Sequence, residues 1–275
     1  MMNKFFTSLR TDFAKQLILL VFIEFFIFQI SGVGYTSISH APYFNIGVDP
    51  LYWIFYGLFI PQTIIKYPVI ATVLDFATIG FLLLSIFNFN EKWIRCTVFL
   101  LMLYYVTLTG YLGHRNYQSG FVWVLMPLMF KSEKNKMFAF EALRYWLLFF
   151  YTSSAVFKIF GNGLLNENHL SSILIHQNLT YFFEENVGIR TMIINYLMNY
   201  NFILKFFFCA AILLEISTLI GFFTKKYDKL IGIFLISFHL FNWFLMDISL
   251  VGQLSILSIF FLIPFNKKKY NLIDK

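Results

Sequence analysis

Three ionisable side chains lie within apolar stretches of the second half of the chain: Lys158, Glu215 and His239. An amine, a carboxylate and an imidazole are groups that take up and release protons in catalysis. Burying an ionisable side chain in an apolar segment costs free energy, so a residue of this kind is usually kept there by a structural or functional role. The sequence therefore predicts a proton-transfer site, with these three side chains as candidate catalytic residues.

Helical spacing adds polar groups beside two of these residues. Tyr151, Ser154 and Lys158 recur at i, i+3 and i+7, which places two hydroxyl groups on the helix face that ends at the amine. Asn242 follows His239 by three residues and shares its face. These three additional residues are candidates for lining the same pocket.

Each candidate also has a structural interpretation. Lys158, close to the end of its apolar segment, can extend toward lipid headgroups. Glu215 can form a structural ion pair with Lys158 or Arg144, and His239 can be a buried histidine that bonds to Asn242 or to a backbone carbonyl. A metal site is not expected, because the sequence has no HExxH motif and no cluster of histidine and cysteine.

The composition predicts the elements that hold these residues. The chain has 275 residues, of which 59% are hydrophobic and 13% charged, whereas a soluble domain carries roughly a quarter charged residues. We therefore expect an integral membrane protein whose surroundings are the lipid bilayer, with one transmembrane domain over residues 1–275. The formal net charge of +7 lies in short clusters between apolar runs, so we expect no nucleic-acid binding.

Apolar runs of spanning length predict an all-α fold, a polytopic transmembrane helix bundle of about eight spans with short interfacial helices in its outer loops. The fourth run is too short to span unaided. Residues 51–60 are apolar, rich in aromatic side chains and closed by Pro61, so we expect a helix on the membrane surface. The predicted spans cover residues 17–36, 68–88, 94–112, 119–130, 145–160, 202–223, 230–246 and 249–265.

Lysine and arginine predict the orientation. They are concentrated before the first span and after the second, fourth, sixth and eighth, with few on the other side. By the positive-inside rule, both termini are cytoplasmic, and we expect a bacterial plasma membrane. Lys158, Glu215 and His239 then lie toward the outer half of the bilayer, and Asp75 in the second span lies at a comparable depth.

The loop over residues 161–201 falls on the outer side. Its apolar residues follow helical spacing in two places, which predicts two short surface helices. The loop can be a lid over the site or a structured connector, and both interpretations stay open. The residues with helical spacing are Leu170, Ile173, Leu174 and Gln177, then Met192, Ile193, Tyr196 and Leu197.

The segments that carry the candidate residues resemble a known family. YTSSAVFKIF from Tyr151, then LLEISTLIGFF, then SFHLFNWFLMDISLVGQLSILSIFFLIPF resemble the HTTM domain, the membrane part of vitamin K-dependent gamma-carboxylases and of many bacterial proteins. The resemblance lies in a lysine at the end of an aromatic helix, an acidic residue in the next helix and an FHxxN motif. It covers the chain from about the second span onward. Two positions depart from the pattern: Gly163 stands where the family usually has tryptophan, and Asn166 where it has glycine.

The resemblance implies a gamma-carboxylase-like enzyme with an outward-facing pocket. Lys158 would be the base that acts on vitamin K hydroquinone or another reduced naphthoquinone, and Tyr151, Ser154 and Asn242 would bind this cofactor. The substrate would be a glutamate-containing protein or a small secreted peptide. The large lumenal domain of the animal enzymes is absent from the 275 residues. The alternative is therefore a non-catalytic membrane component of a system for secreted-peptide maturation, export or immunity.

Overall fold

The computed structural model describes residues 2–39, 50–109, 120–161, 169–178, 188–246, 254 and 256–262. Every regular element in these ranges is a helix, which confirms the all-α prediction. The contacts divide the chain into two compact units, Met1–Ala139 with Val251–Ser255, and Phe140–Leu250 with Ile256–Lys275. The predicted eighth span lies only partly within the described residues.

The helices alternate between long apolar elements and short connecting ones. The first unit contains α1 (Met2–Ile30), α2 (Tyr35–Ile38), α3 (Pro50–Gly57), α4 (Ile60–Lys66), α5 (Pro68–Phe87), α6 (Glu91–Thr109) and a 3₁₀ helix (Gly120–Met129). The next helix, α7 (Glu133–Phe160), begins in the first unit and continues in the second. The second unit adds α8 (His169–Gln177), α9 (Ile189–Met198), α10 (Asn201–Ser217), α11 (Leu219–Phe223), α12 (Asp228–Met246) and a π-helical segment (Ser258–Leu262).

Four helical stretches in the described ranges are long and apolar enough to cross a membrane: Ala14–Ile38, Pro68–Phe87, Asn201–Phe223 and Asp228–Met246. They match the first, second, sixth and seventh predicted spans and support an integral membrane protein. The third and fifth predicted spans are helical as α6 and α7 but are not among these four. The fourth forms the 3₁₀ helix of 10 residues, which contains Pro127. At about 2 Å per residue this helix is shorter than a bilayer core of about 30 Å.

The segment over residues 51–60 differs from the prediction at its end. The helix ends at Gly57, Phe59 has a left-handed backbone with φ of 57°, and α4 begins at Ile60. Pro61 therefore opens the next helix and does not close the previous one. The physical reason is that a proline in the first helical turn has no N–H to leave unpaired, and its fixed φ suits a helix. The position of α3 on a membrane surface stays a prediction.

Asp75 on α5 fixes the break between α1 and α2. Its Oδ1 accepts hydrogen bonds from Gln29 Nε2 at 2.6 Å and the Tyr35 backbone N–H at 3.0 Å. Its Oδ2 accepts from the Thr36 backbone N–H at 2.9 Å and from Thr36 Oγ1 at 2.7 Å. Gly32 allows the turn before α2 because its φ of 73° is the left-handed conformation that glycine tolerates. The carboxylate thus satisfies backbone N–H groups at a helix start that would otherwise lack partners.

The first unit closes through contacts of α1 with α5, α5 with α6, and the 3₁₀ helix with both α6 and α1. Tyr104 lies at its centre and donates a hydrogen bond of 2.6 Å to the Val33 carbonyl. Its ring contacts Phe25, Phe28 and Tyr35 edge to face. Aromatic side chains therefore fill the core beside the break in the first span.

The two helices predicted within the long outer loop are present as α8 and α9. Leu174, Ile194 and Leu197 from these helices form one apolar cluster with Leu204 and Leu245. Asn178 strengthens this packing, because its buried Nδ2 donates to the backbone carbonyls of Leu174 and Leu245, both at 2.9 Å. The described part of the loop is thus packed into the second unit.

Gly232 allows the π-helical segment to approach α12 closely. A Cβ atom at this position would lie 2.5 Å from Phe261 Cβ, which is too close for any side chain. Phe260 and Phe261 are buried in this contact. The absence of a side chain on one helix therefore determines how the last described segment packs on the second unit.

We expect Asp75→Asn to lower the free energy of unfolding by about 1–3 kcal/mol, because the amide replaces one accepting oxygen with an NH₂ group and leaves buried donors without a partner. The measurement is the thermal unfolding midpoint of the purified protein in one detergent. Thr63→Val is the control, since this exposed hydroxyl donates only within its own helix, to the Phe59 carbonyl. Equal midpoints for the two variants would contradict the role given to the carboxylate.

Candidate functional site

One face of α7 carries polar side chains that make contacts within the second unit. Arg144, Tyr151 and Lys158 follow one another at intervals of seven residues, which is two helical turns, so the three side chains lie on the same face. Ser154 lies on this face between the last two. Each of these side chains contacts a polar group on α10, α12 or the connection between them, and the contacts form three layers along α7. We call them outermost, middle and innermost in order from the C-terminal end of α7 toward its N-terminal end.

The outermost layer is an ion pair between Lys158 and Glu215. Lys158 Nζ donates a hydrogen bond to Glu215 Oε1, and Ser154 Oγ lies 3.4 Å from the same oxygen. Glu215 is 2% exposed, whereas the side chain of Lys158 is 30% exposed. The ammonium also lies 5.7 Å from the centre of the Phe238 ring. The pair is therefore buried at its acid end and accessible at its amine end.

The second carboxylate oxygen of Glu215 differs from the first. Oε2 is buried and has no hydrogen-bond partner among the described residues. Buried polar atoms in proteins nearly always have a partner, so this oxygen can accept a hydrogen bond from a ligand or a water molecule. The pair of Lys158 and Glu215 is one of the two alternatives that the sequence left open, and Arg144 does not contact Glu215.

The middle layer is a hydrogen bond between Tyr151 and His239. The phenol oxygen lies 2.5 Å from His239 Nε2, and both side chains are buried. The other ring nitrogen, Nδ1, is also buried and has no partner within the described ranges. Asn242, one turn further along α12, is partly buried and makes no side-chain hydrogen bond to another described residue. Asn242 is therefore not the partner that fixes the histidine ring.

The innermost layer was missed from the sequence, which gave Arg144 only as a possible partner of Glu215 and did not predict its pair with Asp228. The residue is 4% exposed. Its Nε and Nη2 donate to the two oxygens of Asp228 at 2.9 and 2.6 Å, and Nη2 also donates to the Gly221 carbonyl at 2.8 Å. This is the two-pronged geometry in which arginine binds carboxylates strongly. The interval of seven residues to Tyr151 is the signal that could have revealed it.

A short hydroxyl contact also joins α7 to the break between α10 and α11. Thr152 Oγ1 lies 2.9 Å from Thr218 Oγ1, and Thr218 is fully buried. Thr218 also hydrogen-bonds back to the Glu215 carbonyl at 2.6 Å. The backbone next to Glu215 is therefore held against α7 by neutral groups in addition to the ion pair.

Asp75 and Glu24 do not belong to this cluster. All four hydrogen bonds of Asp75 given above are to residues of the first unit, and Glu24 is buried in that same unit. The described residues include no group of three or more histidine, cysteine, aspartate or glutamate side chains that could hold a metal ion. The cluster on α7 therefore consists of hydrogen-bonding and proton-carrying groups.

A comparison of the chain with protein-family models, with curated proteins and with solved structures finds no match. The function must therefore be argued from the residues of the chain itself.

Loss of the Arg144 contact is expected to destabilise the protein strongly. Arg144→Gln leaves the carboxylate of Asp228, whose side chain is 15% exposed, without its cation, and breaking a buried pair in this way costs about 3–5 kcal/mol. The matched control is Lys225→Gln, because Lys225 pairs with Glu141 while both side chains are more than 30% exposed. An exposed pair contributes about 0–1 kcal/mol.

Thermal unfolding of the two variants beside the unmodified protein measures this difference. A smaller loss of stability in Arg144→Gln than in Lys225→Gln would show that the innermost layer does not hold the second unit together.

Proposed function

We propose that this protein is a multi-pass membrane enzyme of the gamma-carboxylase-like type, which uses a reduced naphthoquinone in an outward-facing pocket of the second unit. The observation that carries the proposal is the buried pair of Lys158 and Glu215 with a free carboxylate oxygen. Burying charges is expensive, and a pair built only for stability has little reason to leave one oxygen unpaired. An ionisable residue inside a membrane segment is by default a candidate for a functional site.

The residues present fit a hydroquinone. Glu215 Oε2 is an acceptor without a partner and suits a hydroxyl donor, while Phe238 places an aromatic ring near the amine. When bound, a hydroquinone supplies the reducing equivalents that, with oxygen, generate a base able to remove a proton from the gamma carbon of glutamate. Lys158, Glu215 and Ser154 would hold such a group, and Tyr151 and His239 line the next layer inward.

The ion pair also assigns proton-handling roles. An ammonium has donors but no lone pair, so the pair accepts an incoming proton at Glu215 Oε2 and not at Lys158 Nζ. Lys158 becomes a base only when its own proton has moved to Glu215 Oε1 through their shared hydrogen bond and Oε2 has not taken up another, because a carboxyl group holds a single proton. Ser154 and the backbone near Thr218 keep the carboxylate oriented during this transfer. We propose that both Lys158 and Glu215 are catalytic residues, with the carboxylate as the first acceptor.

The membrane arrangement is part of the same proposal. We propose that α6 and α7 also cross the bilayer and that the chain makes about eight crossings in a bacterial plasma membrane, with both termini in the cytoplasm. Arg144 lowers the hydropathy of α7, but its pair with Asp228 removes the cost of an isolated charge. Lys158 then lies near the outer surface, where a substrate can reach it.

This orientation predicts that both termini are protected from outside. In a protein with Cys96 and Cys209 replaced by serine, single cysteines introduced at Lys4 and Lys269 should resist a membrane-impermeant thiol reagent in intact cells and react once the membrane is opened. A cysteine at Met192, which is 62% exposed on α9, is the control that should react in intact cells. Labelling of either terminus from outside would refute the orientation.

A direct activity assay tests the enzyme proposal. Membranes containing the protein, incubated with vitamin K hydroquinone, labelled bicarbonate and a glutamate-rich peptide, should incorporate label into the peptide. Removing a group that handles the proton typically costs about 10²–10⁴-fold in rate, so Lys158→Ala and Glu215→Gln should lose at least about 100-fold. Lys205→Ala, which changes an exposed lysine of α10, should keep full activity.

Absence of label, or equal activity in Lys158→Ala and Lys205→Ala, would argue against the enzyme. A second candidate function is a non-catalytic role in handling a secreted peptide, and an exposed apolar surface on α9 favours it. Ile189, Met192 and Tyr196 are exposed on α9 at intervals of three and four residues and form an apolar stripe on the outer loop. A small secreted peptide that co-purifies with the protein, and stays bound in Lys158→Ala but not in Met192→Glu, would support this second function.

A further inference from the structure

His239 is the one imidazole that the described residues bring into the cluster on α7. It is 6% exposed, its Nε2 lies 2.5 Å from the Tyr151 phenol oxygen, and its Nδ1 has no partner within the described ranges. The tautomer of the imidazole ring, that is, which of its two nitrogens carries the hydrogen, is determined by the direction of this one hydrogen bond. A neutral imidazole has one nitrogen that donates and one that accepts, so the role of Nε2 fixes the role of Nδ1.

The number of buried polar groups left without a partner indicates which residue donates the hydrogen bond between Tyr151 and His239. If Nε2–H donated to the phenol oxygen, the hydroxyl hydrogen of Tyr151 and the lone pair of Nδ1 would both lack a partner, because Tyr151 makes no other hydrogen bond to a described residue. If Tyr151 donates to Nε2, only the Nδ1–H group is left without one. Leaving a buried polar group without a partner is destabilising, so the arrangement with fewer such groups is favoured. Tyr151 is therefore the donor, and Nδ1 carries the hydrogen.

Two unpartnered atoms, one in the outermost layer and one in the middle layer, are then complementary. Glu215 Oε2 is an acceptor without a donor, and His239 Nδ1–H is a donor without an acceptor, both in side chains more than nine-tenths buried. Both side chains contact the same face of α7, through Ser154 and Lys158 on one side and Tyr151 on the other. A ligand that satisfies both atoms must present a hydroxyl hydrogen and an oxygen acceptor.

We propose that Tyr151 is a positioning residue that fixes His239 in its Nδ1–H form, and that this N–H binds a carbonyl or anionic oxygen of the ligand whose hydroxyl group is received by Glu215. The ligand belongs to the quinones and hydroquinones, which are aromatic or quinoid molecules with two oxygen atoms. Each oxygen can be present as a hydroxyl or as a carbonyl group. The inference rests on the proposed function for the identity of this molecule, but the form of the histidine ring follows from the contacts of Tyr151 alone.

Nitrogen NMR of the histidine rings tests the inference in the full-length protein. The protein is labelled with ¹⁵N at the ring nitrogens of histidine and reconstituted in lipid, and the His239 signals are identified by their loss in His239→Gln. The unmodified protein should show a hydrogen on Nδ1 and none on Nε2. Tyr151→Phe should give a mixture of the two forms, while Tyr145→Phe, which changes a partly exposed tyrosine of the same helix, should give the unmodified spectrum.

The probe for the ligand is 2-methyl-1,4-naphthohydroquinone kept reduced in the sample, because one hydroxyl group can donate to Glu215 Oε2 while the oxygen of the other accepts from His239 Nδ1. Its addition should shift the His239 Nδ1 signal, and its affinity should fall about tenfold in Tyr151→Phe, which corresponds to one hydrogen bond of about 1.4 kcal/mol. Tyr145→Phe should bind as tightly as the unmodified protein. Melting temperatures of all variants establish that the fold is intact.

The outcomes separate this inference from the proposed function. A hydrogen on Nε2 in the unmodified protein, or the same ring form in Tyr151→Phe, overturns the inference. Binding of the naphthohydroquinone that depends on Lys158 but does not move the Nδ1 signal also overturns it, while the proposed function stands. The expected ring form together with no binding of the naphthohydroquinone supports the role of Tyr151 and overturns both the ligand class and the proposed function.

Discussion

A charge buried among apolar side chains requires a partner of opposite charge or a set of hydrogen bonds, and this requirement organises the second unit. α7 contacts its neighbours through Arg144, Tyr151 and Lys158, and each of these reaches one polar group on the facing helices. The three contacts lie at intervals of about 10 Å along the helix, as expected for seven residues at about 1.5 Å each. They determine which faces of α10 and α12 can pack toward α7.

The two units satisfy the same requirement in different ways. In the first unit both oxygens of Asp75 are saturated by nearby donors, and the carboxylate serves only to join α2 to α5. In the second unit Glu215 has one oxygen bound to Lys158 and one without a partner in the described residues. A saturated buried acid stabilises a fold, whereas an unsaturated one can still bind something. This difference is the reason for proposing a function for Glu215 and not for Asp75.

The layers on α7 also differ in what they can do. Arg144 and Asp228 form a two-pronged contact in which the guanidinium always keeps its proton, so this layer is suited to holding helices together. The amine, carboxylate, phenol and imidazole of the two outer layers can all exchange protons. The apolar cluster that packs α8 and α9 against α10 and α12 lies in the same unit. The side chains able to exchange protons therefore lie toward the C-terminal end of α7.

The sequence by itself determined the helical class, four of the long apolar helices, the two helices of the outer loop and the residues worth suspecting. These features depend on local composition and on spacing along one helix, and both can be read without knowing which helices are neighbours. Only the tertiary structure decided that Glu215 pairs with Lys158, that Tyr151 and not Asn242 holds His239, and that Arg144 is buried against Asp228. Those pairings join residues 57 to 88 positions apart in the chain. Spacing along a helix cannot predict them, because they depend on which face each helix turns toward the next.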